Sequence, residues 1–201
     1  MIVDTHCHLI DDAFEKDREV VVQDAIERGV KMMIVPSTSL GESKEVVGWA
    51  EKTNGVLGLV GVHPETVMKN EKIDIEGLRE LPINENVVGI GEIGLDFYWD
   101  KEKKSKAKQM EVFEEQMIMA VELDLPVVIH MREAEEEMEK VLSKLKVLPR
   151  GQFHCWSGSE SFLKYVLDKG FYISFAGNLT YPTAERLRKL AKMVPVDKLL
   201  F

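Results

Sequence analysis

Only two cysteines, Cys7 and Cys155, occur in the 201 residues, so no disulfide framework can hold this chain together. Free, buried thiols in a reducing compartment are the expectation. No apolar run approaches the ~18 to 20 residues that a membrane span needs, and no basic segment followed by an apolar one stands at the N-terminus. The chain is therefore expected to be soluble and cytoplasmic. Basic residues are also in deficit, with 26 lysines and arginines against 35 aspartates and glutamates and a formal charge of -9. That balance argues against a broad basic face gripping long nucleic acid through its phosphates. It does not argue against phosphate chemistry in a small cleft, where bound cations would bring their own positive charge. No linker interrupts the chain, and 201 residues at 45% apolar content suit one sizeable core. Residues 1–201 are read as a single domain.

What the sequence does have is alternation. Strand-like runs alternate with helical ones throughout, the pattern of a parallel α/β fold. Strands are read at residues 1–5, 31–35, 56–62, 87–91, 126–129, 151–154 and 171–175, with 198–201 as the start of an eighth. A helical run through Phe14, Val21, Val22, Ala25 and Ile26 stops at Gly29, where glycine can take the left-handed conformation that ends a helix. Further helices are read at 41–52, 75–80, 106–124, 133–145, 160–169 and 182–193. The longest repeats Met110, Phe113, Met117, Ala120 and Val121 at intervals of three and four, which predicts one buried stripe. A parallel barrel closes with eight strands, so seven and a stub mean either another fold or a barrel that stops short, its strands one and seven left as free edges.

All five histidines fall at or just past the end of a strand-like run. His6 and His8 follow the first, His63 closes the third, and His130 and His154 close the fifth and sixth; Glu92 does the same after the fourth. In a parallel α/β barrel these ends converge on one mouth. His6-x-His8 places two imidazoles on the same side of one strand, within reach of one ion, and turns Cys7 the other way. Imidazole and carboxylate are common ligands for zinc and similar cations, and the two oxygens of Glu92 can bridge a pair. Two such ions would clamp the attacking and leaving oxygens of an in-line displacement and lower the pKa of a shared water. The constellation points to hydrolysis.

Five segments resemble the TatD-type metal-dependent deoxyribonucleases of the amidohydrolase-like barrels. They are Asp4-Thr5-His6-Cys7-His8-Leu9, Gly61-Val62-His63-Pro64, Gly89-Ile90-Gly91-Glu92-Ile93-Gly94-Leu95-Asp96-Phe97-Tyr98, His130-Met131-Arg132 and Phe153-His154-Cys155-Trp156-Ser157-Gly158. The resemblance runs the length of the chain in order. It implies a (β/α)8 barrel of the TIM type, here lacking most of strand eight. It implies two divalent cations, one held by His6, His8 and Glu92, the other by Glu92, His130 and His154. It also implies hydrolysis of DNA phosphodiesters, often as a 3′ to 5′ exonuclease. In that family the pattern continues into a Glu-Thr-Asp segment whose aspartate completes the metal site, and Phe201 stands where that segment should begin. Trp156 occupies a position more often held by phenylalanine, which would enlarge an aromatic wall near His154.

Several residues carry two readings. His63 contacts substrate or is a hydrogen-bonded structural histidine; it is not read as a metal ligand. Asp4 and Asp96 orient an imidazole or satisfy loop amides. Arg132 meets a phosphate with its planar fork or pairs with Glu133 or Glu136. Phe97-Tyr98-Trp99 and the lysines at 101, 103, 104, 106 and 108 track nucleic acid, or form a solvated helix start beside packed aromatics. Three functions follow: a two-metal nuclease with DNA ends as substrate, an amide or ester hydrolase on the same centre, and an inactive metal-binding fragment. Zinc, nickel or manganese suits imidazole-rich ligation, whereas magnesium prefers oxygen shells. No membrane contact and no obligate protein partner are expected.

Overall fold

The computed structural model describes residues 2–69, 71–81, 84–102 and 104–201. Eight parallel strands form one sheet in chain order: β1 (Ile2–Asp4), β2 (Val30–Val35), β3 (Val56–Val60), β4 (Val87–Asp96), β5 (Val127–Arg132), β6 (Gly151–Phe153), β7 (Tyr172–Ser174) and β8 (Leu199–Leu200). Helices α1 (Arg18–Glu27), α2 (Leu40–Ala50), α3 (Pro64–Met68), α4 (Ile75–Arg79), α5 (Lys106–Glu122), α6 (Glu135–Lys144), α7 (Glu160–Asp168) and α8 (Glu185–Ala191) lie in the crossovers. This is the TIM-type plan, with a last strand of two residues. Among the described residues no pairing joins β8 to β1. The free edges are therefore β1 and β8 and not β1 and β7, because Ile173 and Ser174 pair with Leu199 and Leu200. The sheet is nonetheless curled: the Gln152 amide donates to Thr5 O at 3.4 Å, and the His6 and His154 rings stack at 3.5 Å, joining the ends of strands five places apart in the sheet.

The alternating pattern suits the central strands, which are covered on both faces, whereas β1 and β8 at the edges are only partly buried. β4 is buried almost throughout and largely apolar, as expected for a central parallel strand, with Glu92 and Asp96 as its two buried carboxylates. Two differences concern helices. The run expected from Phe14 to Ile26 is broken, a 3-10 turn at Asp12–Phe14 preceding α1. Helix α1 does end at Gly29 with φ +100. Helix α3 was not expected: Pro64 starts it, where the missing N–H costs nothing, and His63 Nδ1 caps it by accepting from Glu65 N at 3.2 Å. Trp156 is buried and stacked on Phe162, so it fills the core; the aromatic wall expected beside His154 is not where its ring lies.

Helix α5 carries two buried glutamines in its apolar stripe. Gln116 accepts from Val62 N at 2.7 Å and donates to Val62 O at 3.0 Å; Gln109 does the same for Asp96 N (2.8 Å) and Asp96 O (3.1 Å). Each side-chain amide thus replaces a neighbouring strand at the point where β3 or β4 runs past its ladder. Buried backbone groups need such partners. The two strand ends that carry His63 and Asp96 are thereby fixed from outside the barrel. Among the described residues no helix is long and apolar enough to cross a membrane.

Candidate metal centre

Glu92 reaches the centre of the mouth through an irregularity in β4. The β4–β5 register advances three residues against two between Ile90 and Ile93, and the extra residue falls at 91–92. Bulges of this kind re-aim a side chain. There the backbone turns from β5 to the end of β2, with Ser37 N donating to Gly91 O (3.3 Å) and Glu92 N to Ser37 O (3.0 Å). Two residues on, Gly94 pairs beside His130 with φ +144, and a Cβ at that position would lie 1.9 Å from His130 O. Only glycine lets the two strands approach so closely there.

The two carboxylate oxygens of Glu92, whose side chain is 4% exposed, face different histidines. Oε2 lies 3.1 Å from His6 Nε2 and 3.3 Å from His8 Nε2, and those two nitrogens are 2.9 Å apart. Oε1 lies 3.0 Å from His130 Nδ1 and 3.8 Å from His63 Nε2. His130 Nε2 is in turn 2.9 Å from Asp96 Oδ2. Two groups among the described residues have donor atoms close enough to share an ion: His6, His8 and Glu92; and His63, Glu92 and His130. The first is the expected set. The second has His63 where His154 was expected, because the His154 ring stacks on His6 and does not turn toward Glu92.

Electrostatics follow from this packing. Burial alone would raise the Glu92 carboxyl, but the bonds from His130, His6 and His8 outweigh it and hold the group well below the ordinary carboxylate range. Burial would lower His130, yet its two carboxylate partners raise it to about 9. His63 is pushed down to about 4 by burial, and His154 to about 3 by burial and then by the charge of His6. Both are neutral near pH 7.

The donor set fits a cation. His6 Nε2, His8 Nε2 and Glu92 Oε2 converge with the two nitrogens 2.9 Å apart, and each could turn a lone pair to one cation in place of the protons they otherwise share. The buried His6 Nδ1 and His154 Nδ1 have no hydrogen-bond partner among the described residues. Unpaired buried nitrogens are costly; a ligand would relieve that cost at His154 Nδ1, whereas ligation through Nε2 would leave His6 Nδ1 as it is. His63 is less suited to that role: Nδ1 accepts from the α3 amide, so Nε2 carries the proton and points into the site as a donor.

The open alternatives resolve as follows. Asp96 does both things proposed for it, since Oδ2 meets His130 while Oδ1 accepts from Tyr98 N and Trp99 N at 3.0 and 3.1 Å. Asp4 satisfies a loop amide, His6 N. Arg132 pairs with neither Glu133 nor Glu136; its guanidinium lies 3.7 Å over the Tyr98 ring. Lys104, Lys106 and Lys108 pair with Glu102, Glu137 and Glu111, so three of the five lysines are neutralised by carboxylates. Lys103 lies outside the described residues. Cys7 packs against the cluster containing Leu9 and Val22, away from Glu92, but β1 ends at Asp4, so strand alternation is not the reason; both cysteines are free. The two α5 glutamines were missed, although Gln109 and Gln116 share the face of Phe113 and Ala120 and the spacing alone marks them as buried.

A parallel α/β barrel whose strand ends bring four histidines around one shared carboxylate defines a metal-dependent hydrolase. The sequence profile of the TatD related DNase family matches residues 3–201, and the chain belongs to that family. It is 38% identical over 206 residues to the uncharacterized metal-dependent hydrolase YcfH of Escherichia coli (strain K12), covering 99% of this chain and 75% of that one. It is 32% identical over 202 residues to the 3'-5' ssDNA/RNA exonuclease TatD of Shigella flexneri, covering 98% and 76%. Among solved structures, the TatD homologue YjjV of Escherichia coli K12 superposes with a TM-score of 0.87 at 30% identity, covering 99% and 77%.

Proposed function

We propose that this metal-dependent hydrolase is a nuclease that removes nucleotides from the 3′ end of single-stranded DNA, with two divalent cations as cofactors. The observation that carries the reading is the division of Glu92, one oxygen toward His6 and His8 and the other toward His130. A carboxylate in that position can bridge two ions. His154, neutral and with an unpaired Nδ1, is available to the second ion after a ring movement away from His6. Ions held there would supply Lewis acidity and an activated water.

The chain's own groups do the rest. Glu92, held well below the ordinary carboxylate range, remains ionised and is a poor proton acceptor, so its role is to hold ions. His63 presents an Nε2–H to a substrate oxygen from a ring clamped by α3. Arg132, with no hydrogen bond or ion pair to its guanidinium among the described residues, offers its fork to a phosphate beside His130. Residues 1–201 work as one domain in this reading, since strand pairing is unbroken from β1 to β8. Two free cysteines agree with a cytoplasmic setting. Zinc, nickel or manganese matches the imidazole-rich set better than magnesium.

The test is to incubate the chain with 3′- and 5′-labelled single-stranded DNA and with acyl esters, with and without EDTA. EDTA-sensitive loss of the 3′ label is expected, and Arg132→Ala should raise KM for DNA without removing metal. Cleavage of esters alone would assign the centre to carbonyl chemistry. No turnover of either substrate by metal-replete protein would make it a metal-binding fragment.

A further inference from the structure

We propose that Trp99, backed by the Tyr98–Arg132 stack, is the subsite for a nucleobase next to the scissile phosphate. The inference rests on the nuclease reading and gives that site a base-binding arm. Trp99 is 65% exposed whereas Trp156 is 1% exposed, so a large aromatic surface is left in water at the mouth. It stands edge-to-face on Tyr98, with centroids 4.8 Å apart at 84°. Arg132 Cζ lies 3.7 Å from the Tyr98 centroid and 5.5 Å from that of Trp99.

The platform is held from several directions. Asp96 Oδ1 accepts from both Tyr98 N and Trp99 N, and Phe97 N donates to Arg132 O at 3.0 Å. The sheet register sets Asp96 beside Arg132. At the far end of the loop, Asp100 accepts from the backbone N–H groups of Lys104 and Ser105. The aromatic pair is thus anchored to the same carboxylate that orients His130.

Two cavities meet at Arg132. One, of about 270 Å³, contains His130, His154, Cys155 and Asn178. The other, of about 430 Å³, contains Tyr98, Glu133, Glu135 and Gly158. Charge distributes a nucleotide between them. The carboxylates of Glu133 and Glu135 disfavour a phosphate in the second cavity but not an uncharged base. A phosphate on the histidine side of Arg132 therefore places its base on the aromatic side. Stacking on an aromatic ring needs no particular base, which suits an enzyme working along a strand of any sequence.

The experiment titrates a short oligothymidylate into EDTA-treated protein and reads indole fluorescence. Of the three tryptophans, Trp156 is buried and Trp49 is engaged by Glu19 and Arg18, so quenching reports Trp99. Quenching by the oligothymidylate and little by an abasic sugar-phosphate oligomer is expected. By anisotropy of a labelled strand, Trp99→Ala should weaken binding about tenfold and Trp99→Phe much less. Both variants should keep the wild-type melting temperature, since the side chain is exposed. Equal binding of the abasic oligomer, or undiminished binding by Trp99→Ala, overturns the subsite. If the metal-loaded wild type still cleaves DNA, the nuclease reading survives that result. If the wild type neither binds nor cleaves DNA, both fall.

Discussion

The imidazole of His130 is held between two carboxylates, Nε2 being 2.9 Å from Asp96 Oδ2 and Nδ1 3.0 Å from Glu92 Oε1. Asp96 fixes which ring nitrogen faces the centre. Partners of this kind set the orientation and basicity of a ligand. Asp96→Asn should keep an oxygen for the Tyr98 and Trp99 amides yet weaken the orientation of His130. Metal titration should show about a 10- to 100-fold loss of affinity at one ion. Unaltered affinity at both ions would make Asp96 a loop cap only.

The proton on His130 has a consequence for stability. Its folded value of about 9 stands above the ordinary 6.5, so its contribution is complete below pH 6.5 and is lost as pH rises through about 9. His63 and His154, pushed down to about 4 and about 3, act in the opposite sense: they resist protonation, and stability falls as pH drops from 6.5 toward those values. The metal-free chain should melt at its highest temperature near pH 6.5 and decline on both sides. His130→Gln should flatten the alkaline side, and it should also change the acid side, since His130 helps lower His63, His154, Glu92 and Asp96. Metal uptake near pH 7.5 should release protons, because a ligating imidazole must be unprotonated.

Separate ions imply separable losses. His6→Ala and His130→Ala should each reduce metal content, by elemental analysis, from two ions per chain toward one, and Glu92→Gln should abolish hydrolysis while the fold persists. A neutral amide cannot bridge two cations as a carboxylate does. Two ions per chain in both alanine variants would refute the ligand assignment, and wild-type turnover by Glu92→Gln would remove the bridge.

Gln116→Leu tests the backbone clamp. Leucine suits the apolar stripe of α5 but leaves Val62 N and O buried without their partner. The expected cost is about 2–6 kcal/mol, read by denaturant unfolding, since each of the two stranded polar groups costs about 1–3 kcal/mol. A change below about 0.5 kcal/mol would mean that the β3 end relaxes or takes up water.

Much of this protein was legible in one dimension. The strand and helix order follows from hydrophobic period, and His6 and His8 do follow the first strand; Glu92 and His130, read as closing theirs, lie inside β4 and β5, which run on to Asp96 and Arg132 because the strand pairing continues past the mouth residues. Cys7 does face away from His6 and His8, but in a loop past β1 and not by strand period. Gln109 and Gln116 were readable in principle from the spacing of α5, but a buried glutamine carries no mark of which backbone it serves.

Other features only the tertiary structure could decide. That Glu92 faces two histidine groups depends on the β4 irregularity and on Ser37, which lies 55 residues away in sequence and is joined to it by backbone hydrogen bonds. That Arg132 stacks on Tyr98 and forms no pair with its acidic neighbours depends on the register that sets Asp96 beside Arg132. That His154 lies against His6 depends on the curl of the sheet. The sequence determined the residue types and which strand carries each, because local periodicity encodes both. Which atoms meet is a property of packing between strands distant in sequence, and no local pattern carries it.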